Sequence, residues 1–555
     1  MKLNKLFFVL TVGLAFAACT KMDDILPQSG TMLTKQVQET NIIAPSRASA
    51  SFNGMFTNIG KPTKLANTPD DWGFLMILFC NDLEGADAVI ADSGYNWFSV
   101  CGEYSSRNNT YRNPRLRYQA PFNMIGDVNT FVAGFPEDVT DENAINMIAQ
   151  ARVLRAYSYM LLAPQYQFAP LTNVRAEGKM GADLPCVPLV NGEPVDFTNN
   201  PRATVKEIYD FVLEDLNYAV EKLEGATRES KMYIDANVAY GLRARVNLLL
   251  GNWDAAYNDA VKAAEGYTPA SIDEVSKPAF MDINEHNWIW GYDMADGLPN
   301  ARKEALNSWN GVYATTSGWL RSFSNSSYSA SCQVYTCINK LLWDKIPDTD
   351  VRKGWWVDEN LESPLLDGLK WPGFDDVANA DDGGDAKLPY VAYTNVKFGC
   401  NPIATDVNEE DMPLMRVEEM ILIQAEAKAR LGDNGGATSI LENFVKTYRD
   451  PSYSAAAGGR TLLDEIWFQR RVELWGEGFG VFDNLRLDKP IVRNHGAGTS
   501  NIADAFRFNL ESQDPWLRMR FPQGEMNTNF GIVDNKGGQQ PTIDMNPGLR
   551  DGVTD

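Results

Sequence analysis

The chain has 555 residues, 44% hydrophobic and 22% charged, ample for a large core, and beyond its N-terminus no apolar run reaches the roughly 20 residues that span a bilayer. A formal net charge of −23 repels polyphosphate and argues against nucleic acid as a partner. Only two histidines, His286 and His495, and seven cysteines without CxxC spacing disfavour histidine catalysis and zinc sites, so no cofactor and no metal are expected.

The first predicted element is an export signal over residues 1–18. Lys2 and Lys5 precede an apolar stretch that ends Phe16-Ala17-Ala18-Cys19, too short to cross a bilayer. With cysteine at the cut, the segment resembles a bacterial lipoprotein box, which makes Cys19 the lipidation site. The following Thr20-Lys21-Met22-Asp23-Asp24 resembles the acidic address of surface lipoproteins in Bacteroidetes. Both imply a protein working outside the cell on a lipid tether, where ATP and cytosolic cofactors are absent. Residues 19–45, polar and holding Pro27, Gly30 and Pro45, read as the lipidated N-terminus and a spacer. The oxidising exterior permits disulfides among Cys80, Cys101, Cys186, Cys332, Cys337 and Cys400, but spacing does not pair them.

Helices follow. One is expected over 148–166. From Asp235, the residues Val238, Leu242, Val246, Leu249 and Leu250 fall on one stripe at helical spacing. Gly251-Asn252 ends that helix and a second, alanine-rich one runs over 253–265. A matching hairpin spans 416–431 and 437–449 around Gly432-Asp433. Aligning the two turns superposes Ala244 on Ala425 and Ala256 on Ala437. Such recurring helix–turn–helix units resemble tetratricopeptide repeats, although the diagnostic Trp and Pro positions are incomplete. A last long helix is expected over 462–475. The fold class is therefore mainly α, a helical-repeat scaffold with repeats at about 120–270 and 405–490. Between them, at about 270–405, the helical period fails in a stretch rich in Gly, Ser, Asn, Asp and Trp. An aromatic-bearing loop region of that length reads as a functional insertion carrying the ligand site.

Several segments together resemble the SusD/RagB family of nutrient-binding lipoproteins. Ala149-Gln150-Ala151-Arg152-Val153-Leu154-Arg155-Ala156-Tyr157 is similar to its "EARFLRAYYY" helix, and Asp348-Thr349-Asp350-Val351-Arg352-Lys353 to its "DPRK" segment. Arg416-Val417-Glu418-Glu419-Met420 resembles "RLAEM". Arg470-Arg471-Val472-Glu473-Leu474-Trp475-Gly476-Glu477-Gly478 resembles "ERRRELAGEG", with Gln469 where the family usually has Glu and Phe479-Gly480 in place of its usual pair. Phe521-Pro522 and Glu525 are similar to the closing "IP..E". The resemblance implies one SusD-like domain over 46–555, a four-repeat scaffold and an outer-membrane location. It also implies a SusC-like TonB-dependent transporter as partner, for which the lipoprotein is a substrate-capturing lid.

Three chemical readings compete locally. Glu473 and Glu477, one helical turn apart, could be an acid/base pair, but hydrolytic carboxylates face each other across a substrate, so a structural network with Arg470 and Arg471 is preferred. Gly476-Glu477-Gly478-Phe479-Gly480 follows a helix instead of opening one, and reads as a C-terminal turn, not a phosphate loop. Asp375, Asp376, Asp381, Asp382 and Asp385 suit a hard cation in type but not in EF-hand spacing, and read as a solvated acidic loop.

Aromatic rings carry the functional expectation, since a flat ring covers the apolar face of a sugar while polar neighbours bind hydroxyls. Trp97, Trp309, Tyr313 and Trp319 lie in polar, glycine-bearing context off the helical stripes. Asp71 and Trp72 occupy a similar position, although Trp72 leads into the apolar run 74–79. Trp288 and Trp290 alternate with Ile289 in a strand, and at least one is expected in the core. The chain is expected to bind an oligosaccharide without altering it. The alternatives are an oligopeptide binder, a surface glycoside hydrolase and a purely structural repeat scaffold.

Overall fold

Helix caps and turn glycines decide where each helix begins and ends. The structure, a computed structural model of the full chain, describes residues 34–61, 70–90, 92, 97–167, 183–277, 279–294, 335–366, 391–398 and 411–555. The main helices are α1 (Thr34–Ile43), α2 (Pro45–Thr57), α3 (Gly73–Glu84), α4 (Arg112–Ala133), α5 (Glu142–Tyr166), α6 (Val205–Lys222), α7 (Ala236–Leu250), α8 (Trp253–Ala264), α9 (Val417–Arg430), α10 (Asn434–Tyr448), α11 (Leu462–Glu473) and α12 (Gly480–Leu487). Asp141 caps α5 and Asp235 caps α7 by accepting from the first-turn amides of Ala144 and Val238. Thr204 and Glu207 close a reciprocal box at the start of α6. Gly251 and Gly432, with φ of +78° and +82°, take the left-handed turns that fold α7 onto α8 and α9 onto α10.

The helices stack in sequence from α4 to α8, and α8 then packs on α9 although about 150 residues separate them in the chain. The small residues aligned in the two hairpins explain the close approach: Ala244, Ala256, Ala425 and Ala437 are all fully buried. This is the expected mainly helical repeat scaffold. The arginines of α5 in the family-like segment are structural. Arg152 and Arg155 both donate to the carboxylate of Asp215, which is wholly buried in α6, at 2.6–2.8 Å.

Two departures from the sequence expectation stand out. Part of the stretch read as spacer is helix α1 docked on the body: Gln38 and Asn41 donate to the carbonyls of Ala133, Phe135 and Gly134. And four of the insertion's described tryptophans are core, while Trp343 is partly buried against it. Strand Trp288–Tyr292 pairs antiparallel with Met412–Arg416, and Trp288, Trp290, Trp355 and Trp356 are at most 1% exposed. Burying such rings against the helices is worth several kcal/mol each and fastens the insertion to the repeats.

At the centre lies a buried ion cluster built from the family-like segments. Glu473 accepts from Arg449 at 2.8 and 2.9 Å, from Arg416 at 3.1 Å and from Arg352 at 3.3 Å. Glu477 accepts from Arg416 and from the Lys397 ammonium, and Glu418 pairs with Arg416 and Arg449. Asp350 completes it by pairing with Arg352, so four cations meet four carboxylates. Arg470 and Arg471 are not its members, contrary to expectation. Arg470 pairs with Asp483, and Arg471 with Asp87 and Asp551, because both side chains leave α11 on other faces.

The loop after α11 uses its amides internally. Asp82 accepts from the N–H groups of Gly478 at 2.8 Å and Gly480 at 2.9 Å, so the turn binds a carboxylate of α3 and not a phosphate. Burial raises the Asp82 carboxyl to about 7, against the lowering effect of those two N–H groups. A raised carboxyl stabilises the fold fully below its unfolded value near 4 and loses that contribution as pH rises towards about 7. Relative to Asp82→Asn, the wild-type protein is therefore expected to lose on the order of 3 kcal/mol between about pH 4 and pH 7. Urea titrations of both proteins across that range check it, and parallel pH profiles would refute the assignment.

Candidate functional site

Of the residues expected to meet a ligand, Trp97 is half-buried and placed just before α4. The Arg112 guanidinium lies 4.7 Å from its ring centroid, and Arg112 in turn pairs with Asp70 at 2.9 Å. Asp71 and Trp72 are placed differently from expectation. They are 1% and 0% exposed, because Trp72 enters the interior at the head of the apolar helix α3, and neither offers a surface to a ligand. Trp309, Tyr313 and Trp319 lie outside the described residues, as do Cys19 and the acidic loop of Asp375, Asp376, Asp381, Asp382 and Asp385.

The first turn of α4 that carries Arg112 also opens an adjoining groove of about 720 Å³. Tyr111, Arg115, Tyr118 and Phe122 supply one wall, Phe197 and Asn200 another, and the short helix Gln523–Thr528 a third. These walls come from three distant stretches of chain and are tied by backbone bonds. The Gln523 amide donates to the Asn109 carbonyl at 2.9 Å, the Phe530 amide to the Thr198 carbonyl at 2.8 Å, and Asn529 and Asn200 bond reciprocally. Tyr111 is 47% and Phe197 67% exposed, while amides of Asn109, Gln119, Asn123, Gln523 and Asn529 line the space between. Solvated rings alternating with amides can cover apolar faces and exchange hydrogen bonds with hydroxyls. Among the described residues that line the groove, Glu525 is the one carboxylate, and it is engaged by the Asn529 amide at 2.9 Å.

Tyr111 and Phe197 were not anticipated from the sequence. The signal was present, since Asn108-Asn109-Thr110-Tyr111 and Phe197-Thr198-Asn199-Asn200 set a ring among polar turn residues as Trp97 is set. Conversely, the smaller cavity of about 140 Å³ bordered by Arg245, Glu419, Arg470, Glu477 and Asp483 is structural. Its charges are paired with one another or with the central cluster, as in Arg245–Glu419 at 2.7 Å.

Comparison with known proteins follows the same lines. Residues 74–248 match a SusD-like family model described as "Starch-binding associating with outer membrane", and residues 378–539 match the model of the SusD family. No curated protein sequence matches significantly. Among solved structures, a SusD-like carbohydrate-binding protein from Bacteroides vulgatus ATCC 8482 is similar with a TM-score of 0.67 at 23% identity, over 89% of this chain and 98% of that one. A SusD superfamily protein from Bacteroides thetaiotaomicron VPI-5482 is similar with a TM-score of 0.66 at 20% identity, over 88% and 99%. A laminarin-binding SusD-like protein gives 0.58 at 16% identity, over 89% and 99%. Among the described residues no helix is long and apolar enough to cross a membrane. The two sequence matches fall on the two helical parts of the scaffold, the likeness in fold runs along nearly the whole body, and the chain belongs to the SusD/RagB family.

Proposed function

We propose that the protein is a non-catalytic, lipid-anchored binder of oligosaccharides at the outer membrane that delivers them to a SusC-like TonB-dependent transporter. The observation that carries the ligand class is the amide-lined groove with Tyr111 and Phe197 standing in solvent beside the Trp97–Arg112 stack. Two exposed rings that share one groove with several amides suit a sugar face and its hydroxyls. Trp309, Tyr313 and Trp319 complete the platform in this reading. A lipid-anchored chain whose described residues hold no spanning helix needs a separate pore to move its ligand inward, which supports the transporter partnership.

Covering about 100 Å² of apolar surface per ring is worth roughly 2.5 kcal/mol at about 25 cal/mol/Å². Tyr111→Ala and Phe197→Ala are therefore each expected to weaken glycan binding about tenfold or more, with nearly unchanged melting. Trp97→Ala should weaken it similarly, with some loss of stability because the ring is half-buried. Glycan and peptide arrays, followed by calorimetry on the best ligand, measure this. Preference for peptides would replace the ligand class, and unchanged affinity in all three variants would remove the site. Affinity purification after gentle detergent extraction is expected to recover a barrel protein in roughly equal amount, and repeated recovery of the lipoprotein alone would contradict the partnership.

A further inference from the structure

Cys80 and Cys101 lie sulfur to sulfur at 2.8 Å in the interior, each 1% exposed. Cys80 sits on α3 and Cys101 on the helical turn Ser99–Gly102, 21 residues further along the chain. The two sulfurs are closer than non-bonded sulfur atoms comfortably sit, and a side-chain adjustment of less than about 1 Å brings them to the bond length of about 2.05 Å. The surroundings hold them in place: the Asn113 amide donates to the Cys101 sulfur at 3.4 Å, and the Met76 thioether lies 3.6 Å from the Cys80 sulfur. Cys186, equally buried, has a backbone carbonyl as its sulfur's neighbour, at 3.7 Å.

We infer that Cys80 and Cys101 form a disulfide when the chain folds in an oxidising compartment, closing the segment that carries Trp97 onto α3. The oxidant is a disulfide-bearing exchange partner, either a small molecule or a dithiol protein. One cysteine thiolate attacks the oxidant's S–S bond, giving a mixed disulfide and releasing one thiol. The second cysteine displaces the remaining half, so the protein gains one S–S bond and the oxidant leaves as two thiols carrying the two electrons and two protons. Both sulfurs are out of solvent in the folded protein, and burial together with Cys101 pushes the Cys80 thiol well above its ordinary range. The exchange therefore takes place before α3 and the Ser99–Gly102 turn have closed. Cys101 follows Trp97 by four residues in the chain, so the cross-link holds that turn in position against α3, pre-organising the ring. That consequence rests on the ligand reading above, whereas the bond itself does not.

The test reads the bond directly. The full chain, exported to an oxidising periplasm so that location is imposed, is denatured at acid pH with excess maleimide and mapped by mass spectrometry. The peptides of Cys80 and Cys101 are expected as one cross-linked species that reduction separates into two, together two hydrogens heavier. Recovery of both cysteines as maleimide adducts, or of either joined to another cysteine, would overturn the inference. Reduction of the wild-type protein should also lower its melting temperature by about 3 °C, a shift that the Cys80→Ala/Cys101→Ala double variant lacks. An equal response of that variant to reductant would count against the pair.

Discussion

Glu473→Gln is expected to cost about 3–5 kcal/mol of stability, enough to deplete folded protein at ordinary growth temperature. Glu473 is fully buried and accepts four hydrogen bonds from Arg449, Arg416 and Arg352. The carboxyl is buried, and those guanidiniums, Arg449 foremost, hold it far below the usual carboxylate range. Glutamine keeps the shape but removes the charge, and it turns an amide N–H₂ towards three donors, leaving cations uncompensated in a low dielectric. The sign of the pH effect follows. A depressed carboxyl contributes stability above its unfolded value near 4, and that contribution is lost as the pH falls below it. The wild-type protein should therefore lose stability in acid more steeply than the variant. Denaturant titrations at neutral pH and near pH 3 test both halves. Asp210→Asn, which breaks the exposed Lys206–Asp210 pair on α6, serves as comparison and should cost about 1 kcal/mol or less. A Glu473→Gln protein as stable as that comparison would show that the cluster is not what holds the insertion to the repeats.

Cys19→Ala is expected to abolish membrane anchorage. Each methylene of an acyl chain is worth about 0.8 kcal/mol in the bilayer, so several chains hold the protein almost permanently and their loss leaves a charged body with nothing to insert. Fractionation and surface labelling of cells making the variant should find it unprocessed or released. If it partitions with outer-membrane lipid and is labelled as before, the lipoprotein reading is wrong, and the surface role of Asp23 and Asp24 goes with it. Ligand binding by the purified variant should be unchanged, because Cys19 is not among the residues that line the groove.

Local signals were legible wherever a few neighbouring residues decide the outcome. The apolar stripe of α7, the glycines at Gly251 and Gly432, and the alanines aligned between the hairpins predict both helix ends and the burial of Ala244, Ala256, Ala425 and Ala437. Helix capping, turn conformation and amphipathic period act over three or four residues, so they survive in a linear reading. Partners across the fold do not. Glu473 has Arg470 and Arg471 nearby in sequence, yet its partners are Arg352, Arg416 and Arg449, because α11 meets the insertion and α9 only after the repeats stack. Composition likewise does not separate an interior tryptophan from an exposed ring. Trp72 and Trp290 are core because α3 and the strand pair close around them, while Tyr111 and Phe197 stay in solvent where three stretches of chain leave a gap. The sequence alone therefore determined the helical repeats, the anchor expectation and the family likeness. The ion cluster, the Cys80–Cys101 approach and the groove were decided by tertiary packing, because burial and pairing between distant segments depend on which surfaces meet.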